Sequence, residues 1–434
     1  MTIADVKIWG ALVGAVVWDE KQNMAAFEYA PAFARKELEL SPIMMPTTQR
    51  QRVWQFPELR QRRNQTEDTF KGLPGLLADA LPDRFGTDLI NTWLVRQGRP
   101  ADDLNPVELL CFIGSRSMGA MEFEPSMIGL PKKQSNKIEI GSIVEVAKSL
   151  LQQKTALDTN LGETQKALLD ILKVGTSAGG ARPKAIIAWN EKTDEVRSGQ
   201  ANAPKGFEHW LIKLDGVSDA QFGNTRGYGR VEMAYYKMAI AAGVEMMPCR
   251  LLEENGRAHF MTKRFDRDGN NTKHHVQTWC GLEHKDFNNV TSYSYEQLFQ
   301  TMRNLRLDYK QSNQMFTRMV FNVLARNCDD HTKNFSFLLK QGQQWELAPA
   351  YDICHAYSPK SQWVSQHALS INDKRADILD DDLLAVAKHI GHKKAKAVIE
   401  QVRNVVATWP SFADEQKVDP NLRDAIQATI KNRR

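Results

Sequence analysis

A short aspartate-rich segment that follows an apolar helical pattern constrains this chain more than any other feature. Residues 312–325 have the apolar spacing of a helix, and they lead into residues 329–334, which read Asp-Asp-His-Thr-Lys-Asn. Asp329 and Asn334 are five positions apart, the D-x-x-x-x-N spacing of phosphoryl-transfer loops in which the aspartate accepts a proton and the asparagine holds Mg²⁺. Because Asp330 is one position off this spacing, we assign Asp329 as the base.

A predicted hairpin after this segment returns a second aspartate to the same place. Residues 335–339 and 345–347 have strand patterns on either side of a polar, glycine-containing turn, and Asp352 follows them. In a kinase, the second metal-binding aspartate comes after the catalytic loop in the same way. Asp352 lacks the Phe-Gly that normally follows that aspartate. The order still predicts that Asp352 joins Asn334 at a Mg²⁺ ion.

Three further features lie upstream, in the order found in kinases. Residues 175–184, Gly-Thr-Ser-Ala-Gly-Gly-Ala-Arg-Pro-Lys, form a glycine-rich loop whose backbone N–H groups can approach phosphates, although it matches neither the Walker pattern nor G-x-G-x-x-G. Lys213 lies in an apolar strand pattern, where an unpaired ammonium is costly to bury. Glu232 lies at the start of the next predicted helix, and alone it is best explained as an ordinary charge near a helix N-terminus. Together the features predict phosphate chemistry because they share one order.

The order of strand and helix patterns divides the chain into three parts. Residues 1–132 alternate like strands, residues 143–265 form a small lobe around the glycine-rich loop, and residues 266–434 are dominated by helical patterns. We therefore predict an α+β, protein-kinase-like two-lobed fold with a β-rich N-terminal subdomain and an all-helical C-terminal catalytic subdomain. The hydrophobic fraction of 42% and the charged fraction of 25% are ordinary for a globular protein.

Composition argues against several other classes of protein. No apolar run approaches the roughly 18 residues that span a membrane, and the first residues lack the pattern of a signal peptide, so we expect a cytoplasmic protein. The five cysteines contain no C-x-x-C pair, which argues against a disulfide framework or a structural zinc site. The net charge of +5 is far below that of a dedicated DNA-binding domain.

At these motifs the chain resembles the HipA family, the kinase toxins of HipA–HipB toxin–antitoxin modules. N-terminal matches are Gly-Leu-Pro-Gly at 72–75, Leu-Pro-Asp-Arg-Phe-Gly at 81–86 and Met-Gly-Ala-Met-Glu-Phe at 118–123. C-terminal matches are Arg-Phe-Asp-Arg at 264–267 and the run D-D-H-x-K-N-x-S that begins at Asp329. This run is specific to the family, whereas the glycine-rich loop is not.

The resemblance implies an ATP- and Mg²⁺-dependent protein serine kinase related in fold to lipid-kinase-type enzymes. Asp329 would be the catalytic aspartate, and Asn334 and Asp352 would hold the metal. Ser177 matches an autophosphorylated serine, where an added phosphate would repel nucleotide. The residues that would contact ATP are Gly179, Gly180, Ala181, Arg182, Pro183, Lys184, Lys213, Lys263, Arg264, Phe265, His331, Thr332, Lys333, Asn334, Tyr351 and Asp352.

The resemblance also implies partners. A HipB-type helix-turn-helix antitoxin dimer would hold the kinase inactive on operator DNA and give transcriptional autorepression. The target would be a translation-related protein such as glutamyl-tRNA synthetase or another synthetase, and its phosphorylation would cause growth arrest and persistence. Three alternatives stay open: a small-molecule or lipid-type kinase, a non-catalytic co-repressor, and a metal-dependent phosphohydrolase with Asp329, Asp330, His331 and Asp352 as ligands.

Overall fold

Strands near the start of the chain form an antiparallel sheet that carries the N-terminal region. The computed structural model describes residues 2–49, 52–60, 68–127, 137–152, 183–200, 202–217 and 227–431. The strands are β1 (Ile3–Ile8), β2 (Ala11–Asp19), β3 (Met24–Tyr29), β4 (Val53–Trp54) and β5 (Met121–Glu124). They lie in the order β4-β3-β2-β1-β5. Alternation along each strand buries Val6, Val16 and Phe27 on the face that meets the core.

Short helices cover this sheet and extend toward the rest of the chain. They are α1 (Pro31–Ala34), α2 (Gly75–Ala78), α3 (Arg84–Arg96) and α4 (Pro106–Ile113), with a 3-10 turn at Pro57–Leu59. α3 begins where the Asp83 carboxylate accepts a hydrogen bond of 2.6 Å from the Gly86 N–H. α4 begins with a capping box between Asn105 and Glu108. Such caps satisfy N–H groups that have no partner inside the helix.

The middle of the chain is a second antiparallel sheet with one long helix packed against it. After α5 (Ile140–Gln152) come β6 (Lys184–Asn190), β7 (Glu195–Ser198), β8 (Glu208–Lys213), α6 (Tyr228–Ala241), β9 (Cys249–Glu254) and β10 (Arg257–Lys263). The order is β7-β6-β8-β10-β9. The register of β6 and β8 places Lys184 directly opposite Lys213.

The last part is mainly helical but contains a small sheet. Its helices are α7 (Trp279–Glu283), α8 (Tyr295–Asn304), α9 (Tyr309–Leu324), α10 (Asp380–His389), α11 (Ala395–Ala407), α12 (Trp409–Glu415) and α13 (Pro420–Lys431), with a 3-10 turn at Thr332–Asn334. Its strands are β11 (His275–Thr278), β12 (Tyr293–Ser294), β13 (Ser336–Leu339), β14 (Trp345–Leu347) and β15 (Leu369–Ser370). The predicted hairpin is β13–β14, and β11 pairs with its other edge.

The predicted α+β class, with strands first and helices last, is confirmed. The description of the last part as all-helical is wrong in detail, because β13 needs hydrogen-bond partners on both edges and finds them in β11 and β14. One continuous hydrophobic cluster includes buried residues from Ala4 to Ile426, so the three predicted parts share a core. Their boundaries stay a prediction.

Among the described residues, no helix has the length and apolar character needed to cross a membrane.

The N-terminal region docks on the segment that follows β10. The Asp79 carboxylate accepts hydrogen bonds of 2.8 Å from both the N–H and the hydroxyl of Thr278, at the start of α7. The Gly119 N–H donates to Asp266 at 2.7 Å. Two sequence motifs far apart along the chain, at 118–123 and 264–267, therefore meet in the fold.

Candidate active site

Lys213, at the end of β8, bridges two carboxylates. Its Nζ hydrogen-bonds both Glu232 on α6 and Asp352 after β14. Burial by itself would lower the pKa of Lys213, but the charges of Asp352 and Glu232 outweigh burial and raise that pKa above its ordinary value. Glu232 is only 3% exposed, so its interpretation as an ordinary helix-end charge is wrong. The lysine, the glutamate and the second aspartate form one ionic cluster, in which Glu232 is buried and Lys213 and Asp352 are partly exposed.

Asp352 is held in an unusual backbone conformation at this cluster. Its φ is +53°, in the left-handed region that aspartate tolerates better than most residues. Burial would raise the pKa of Asp352, but the ammonium groups of Lys213 and Lys184 outweigh it and hold that pKa well below its usual range. The carboxylate is therefore ionised at neutral pH and remains 31% exposed, open to a cation.

Lys184 adds a second ammonium beside Lys213. It is the first residue of β6, lies opposite Lys213 in the sheet and is 4% exposed. Burial lowers the pKa of Lys184, and the neighbouring positive charge of Lys213 acts in the same direction. Paired ammonium groups next to an ionised carboxylate suit the phosphates of a nucleotide with its metal ion.

The predicted catalytic loop, residues 329–334, is closed by a hydrogen bond between its last and first residues. The Asn334 amide nitrogen donates to the backbone carbonyl of Asp329 at 2.6 Å, so the amide oxygen is the atom left for a cation. The Asp329 carboxylate is 48% exposed, and its Oδ1 lies 3.8 Å from His331 Nε2. Asp329 is therefore accessible to an incoming substrate.

Asp330, by contrast, is buried, and its carboxylate is fully occupied by hydrogen bonds within the protein. Its carboxylate accepts from the Tyr295 hydroxyl at 2.9 Å, from His367 Nδ1 at 2.9 Å and from the Ala368 N–H at 2.8 Å. Burial would lower the pKa of His367, but Asp330 outweighs it and raises the pKa of His367 to about 10. Asp330 thus faces an imidazolium ion and fixes the loop in place.

Several residues that are predicted to contact ATP use their side chains to hold the catalytic loop in place. The Thr332 hydroxyl donates to the Lys285 carbonyl at 2.7 Å, and the Tyr351 hydroxyl donates to the Lys333 carbonyl at 2.7 Å. Lys333 Nζ lies 4.5 Å from the centroid of the Phe287 ring. These contacts favour a supporting role for Thr332 and Tyr351 over a direct contact with nucleotide.

Residues 263–265, which the family resemblance predicts to be the hinge where backbone groups meet adenine, lie where β10 leaves the sheet. Lys263 Nζ donates to Glu208 at 2.5 Å. The Arg264 guanidinium forms a bidentate ion pair with the Asp266 carboxylate, with N–O distances of 2.8 and 2.6 Å. Both side chains therefore have protein partners. The Phe265 ring stands 5.9 Å from the Tyr351 ring and links the hinge to the segment that carries Asp352.

The glycine-rich loop lies almost entirely outside the described residues. Ser177, Gly179, Gly180, Ala181 and Arg182 belong to that stretch. The loop's end is described: the Pro183 carbonyl accepts from the Leu214 N–H at 3.0 Å, next to Lys213. The roles of the loop and of Ser177 stay predictions.

The donor atoms near the catalytic loop suit a hard cation only in part. Within the described ranges, no group of three or more His, Cys, Asp or Glu side chains is arranged to hold a metal ion. Oxygen donors from Asn334 and Asp352 fit Mg²⁺, which takes few protein ligands and completes its shell with water and phosphate oxygens. The phosphohydrolase alternative uses Asp330 as a metal ligand, but the Asp330 carboxylate is already bonded to Tyr295, His367 and Ala368, which disfavours that alternative.

Sequence reasoning missed His367 and Tyr295, the partners of Asp330. No local pattern marks either residue, because each reaches the loop from a distant segment. A lone histidine followed by Ala-Leu-Ser in a polar stretch gives no usable signal.

Comparisons with known proteins agree with this geometry. The family model described as the HipA-like C-terminal domain matches residues 176–409, and the HipA N-terminal domain model matches residues 4–124. No curated protein matches the chain significantly.

Two solved structures are similar. One is a chain from the Shewanella oneidensis MR-1 complex of HipA, HipB and operator DNA, with a TM-score of 0.67, 18% identity, and coverage of 99% of this chain and 95% of that one. The other is the Helicobacter pylori proinflammatory kinase CtkA, with a TM-score of 0.31, 15% identity, and coverage of 58% of this chain and 93% of that one. The first likeness supports the fold, and the C-terminal family model covers more than half of the 434 residues. The chain therefore belongs to the HipA family.

Proposed function

We propose that this protein is the kinase toxin of a toxin–antitoxin pair and transfers the γ-phosphoryl group of ATP to serine hydroxyls of proteins. One observation carries the proposal: Lys213 joins Glu232 and Asp352 in a single ionic cluster, in which Glu232 is buried. A lysine that is paired in this way is held in a position suited to phosphate binding. Its ammonium group does not simply extend from the strand into solvent.

The proposed mechanism follows from which groups are free and which are bound. Asp329 is exposed, so it orients the serine hydroxyl and accepts its proton as the oxygen bonds to the γ-phosphorus. The bond from that phosphorus to the bridging oxygen breaks, and ADP leaves with the electron pair. Lys213 and Lys184 stabilise the negative charge of the phosphates.

Asn334 and Asp352 would hold the Mg²⁺ ion. The Asn334 amide oxygen is directed away from the bond that its nitrogen makes to Asp329, and Asp352 presents an ionised carboxylate. When bound, Mg²⁺ would supply positive charge that neutralises the charge developing on the phosphates. The protein's own contribution is to keep both donors fixed, through the closed loop and through Lys213.

The finer parts of the proposal come from the family. We infer autophosphorylation on Ser177, a translation-related target such as an aminoacyl-tRNA synthetase, growth arrest and persistence, and a cytoplasmic location. The likeness to a chain from a HipA–HipB–operator DNA complex supports a helix-turn-helix antitoxin dimer and operator DNA as partners.

Labelled ATP tests the proposal directly. The protein is incubated with γ-labelled ATP and Mg²⁺ beside Asp329→Asn, with Asp381→Asn as a control at an exposed carboxylate. We expect label on the wild type and on the control but not on Asp329→Asn, and tandem mass spectrometry should place it on Ser177 and not on Thr176.

Other outcomes identify the alternatives. Phosphate release from a phosphomonoester without ATP would favour the phosphohydrolase. Operator binding with the antitoxin, with no phosphotransfer to any protein, would favour the co-repressor. Transfer to a small molecule in place of a protein would favour a small-molecule or lipid-type kinase.

A further inference from the structure

The loop that follows α7, residues 284–289, is fixed from the side of the N-terminal region. The Thr69 hydroxyl donates to the Asp286 carboxylate, and the Asn288 amide nitrogen donates to Thr69 Oγ1 at 3.0 Å. The Asn288 N–H also donates to the Asp286 carboxylate at 3.0 Å. These three hydrogen bonds form a closed triangle, so both residues that flank position 287 are held in place.

Between these two residues, Phe287 contacts the catalytic loop. Lys333 Nζ lies over the Phe287 ring, 4.5 Å from its centroid. The centroid of the His331 ring stands 5.3 Å from that of Phe287, and the two ring planes make an angle of 51°. A cation within about 6 Å of an aromatic centroid is attracted by the electron density of the ring face. One aromatic ring therefore contacts two polar side chains of the catalytic loop.

Neither of these side chains has a conventional partner that fixes its direction. The Lys333 ammonium makes no hydrogen bond or ion pair with any residue that the structure describes. Within the same part of the chain, His331 Nδ1 is shielded from solvent and has no hydrogen-bond partner. His331 Nε2 stands 3.8 Å from Asp329 Oδ1, which is too far for a hydrogen bond. The Phe287 ring is therefore the contact that orients both side chains.

Both side chains belong to the part of the loop that would surround the transferred group. They come between Asp329, which would meet the serine hydroxyl, and Asn334, which would hold Mg²⁺. We propose that Phe287 is a positioning residue of the active site, whose ring holds Lys333 and His331 toward the phosphates of the nucleotide. The proposal rests on the proposed kinase function and extends the active site to a residue outside the catalytic loop.

Loss of the ring should slow phosphotransfer without unfolding the catalytic loop. The loop keeps the hydrogen bonds of Asn334 to the Asp329 carbonyl and of Thr332 to the Lys285 carbonyl. The lysine side chain is long, flexible and strongly hydrated at its tip, so without the ring it would spread over many rotamers. A smaller fraction of molecules would then hold the ammonium in the geometry that phosphoryl transfer needs.

Fluorinated phenylalanines at position 287 test the electrostatic part of this contact. Each added fluorine withdraws electron density from the ring face and weakens its attraction for a cation, while the shape of the ring changes little. We expect kcat/KM for Mg-ATP to fall stepwise through the mono-, di- and trifluorinated rings. Phe287→Leu should lose the most, about 3- to 30-fold, the range of a cation–π contact at a partly buried site. Phe287→Tyr keeps the ring and should keep most of the activity.

The matched control is trifluorophenylalanine in place of Phe412, a partly buried ring on α12 with no cation over it among the described residues. This replacement should leave kcat/KM unchanged. A role in packing alone would respond to the loss of the ring in Phe287→Leu but not to the number of fluorines. Activity that is indifferent to fluorination at position 287 would therefore overturn the proposal.

A second measurement requires no kinase activity. In nucleotide-free protein labelled with ¹³C-lysine, the ε-CH₂ protons of Lys333 should resonate upfield of those of other lysines, because they lie in the shielding region above the Phe287 ring. The signal is assigned through Lys333→Arg and should return to the ordinary position in Phe287→Leu. Absence of the upfield signal would overturn the role of Phe287. An upfield signal in a wild-type protein that transfers no phosphate would instead overturn the kinase function on which that role rests.

Discussion

His367 donates a hydrogen bond of 2.9 Å to Asp330, the residue next to the proposed base Asp329. The two partners are 4% and 0% exposed, so the pair lies in the interior. Asp330 raises the pKa of His367 to about 10 against burial, and the pair is ionic at neutral pH. A buried ion pair of this kind fixes the conformation of the loop that presents Asp329.

Loss of the His367 charge should change how stability depends on pH. The folded-state pKa of about 10 exceeds the unfolded value of about 6.5, so the contribution is full below pH 6.5 and is lost as pH rises toward 10. His367→Gln should flatten this part of the curve of unfolding free energy against pH, measured by urea denaturation. His389→Gln, at an exposed position, should behave as the wild type. Parallel curves for His367→Gln and wild type would refute the ion pair.

Removal of the Lys213 ammonium should damage both stability and activity. Lys213→Gln leaves Glu232, only 3% exposed, without its cation. Breaking a buried pair from one side typically costs about 3–5 kcal/mol. We expect a lower urea midpoint and a loss of phosphotransfer of about 10²- to 10³-fold, as for a lost electrostatic contact in a transition state. Lys237→Gln, exposed on α6, is the control. An unchanged midpoint would show that the cluster is not ionic.

What the sequence could predict depends on how local each feature is. Asp329 and Asn334 are five residues apart and contact each other within one loop, and a hairpin links that loop to Asp352. The partners of Asp330 and Asp266 lie 37 and 147 residues away, at His367 and Gly119. Packing between distant segments sets these pairs, so a single sequence carries no pattern for them. Lys213 and Asp352, 139 residues apart, were linked only through the order of kinase motifs.

Asp266 should stabilise the contact between the N-terminal region and the hinge at residues 263–265. It is fully buried, pairs with Arg264 and Arg267, and accepts from the Gly119 N–H. Burial would raise its pKa, but the two arginines outweigh burial and hold the pKa of Asp266 below its usual range.

The depressed pKa fixes the pH window of this contribution. It is present above the unfolded value of about 3.9 and is lost as pH falls below it. Asp266→Asn should lower the unfolding free energy at pH 7 by about 3–5 kcal/mol, because two buried guanidinium groups lose their counter-charge, and should weaken its dependence on acid pH. Asp268→Asn, on an exposed turn nearby, should leave the urea midpoint unchanged. Equal midpoints for both variants would exclude this stabilising role.

A side chain at Gly75 should be destabilising, because the backbone of α7 packs directly against Gly75 where the N-terminal region docks. A Cβ at Gly75 would stand 2.0 Å from the Gly281 carbonyl oxygen and 2.7 Å from His284 Cδ2. The backbone of α7 cannot yield without moving Thr278, which Asp79 holds, so Gly75→Ala should cost about 1–3 kcal/mol or more as an overpacked contact.

Gly141→Ala in α5 is the matched control, because its nearest neighbour is 3.5 Å away and alanine favours helix. The two alanines should therefore shift the urea midpoint in opposite directions, Gly75→Ala down and Gly141→Ala slightly up. The Lys285 carbonyl that follows His284 accepts from the Thr332 hydroxyl, so the shift of α7 should also reach the catalytic loop. Phosphotransfer by folded Gly75→Ala should fall for that reason, and wild-type activity in this variant would show that the loop does not depend on the docking.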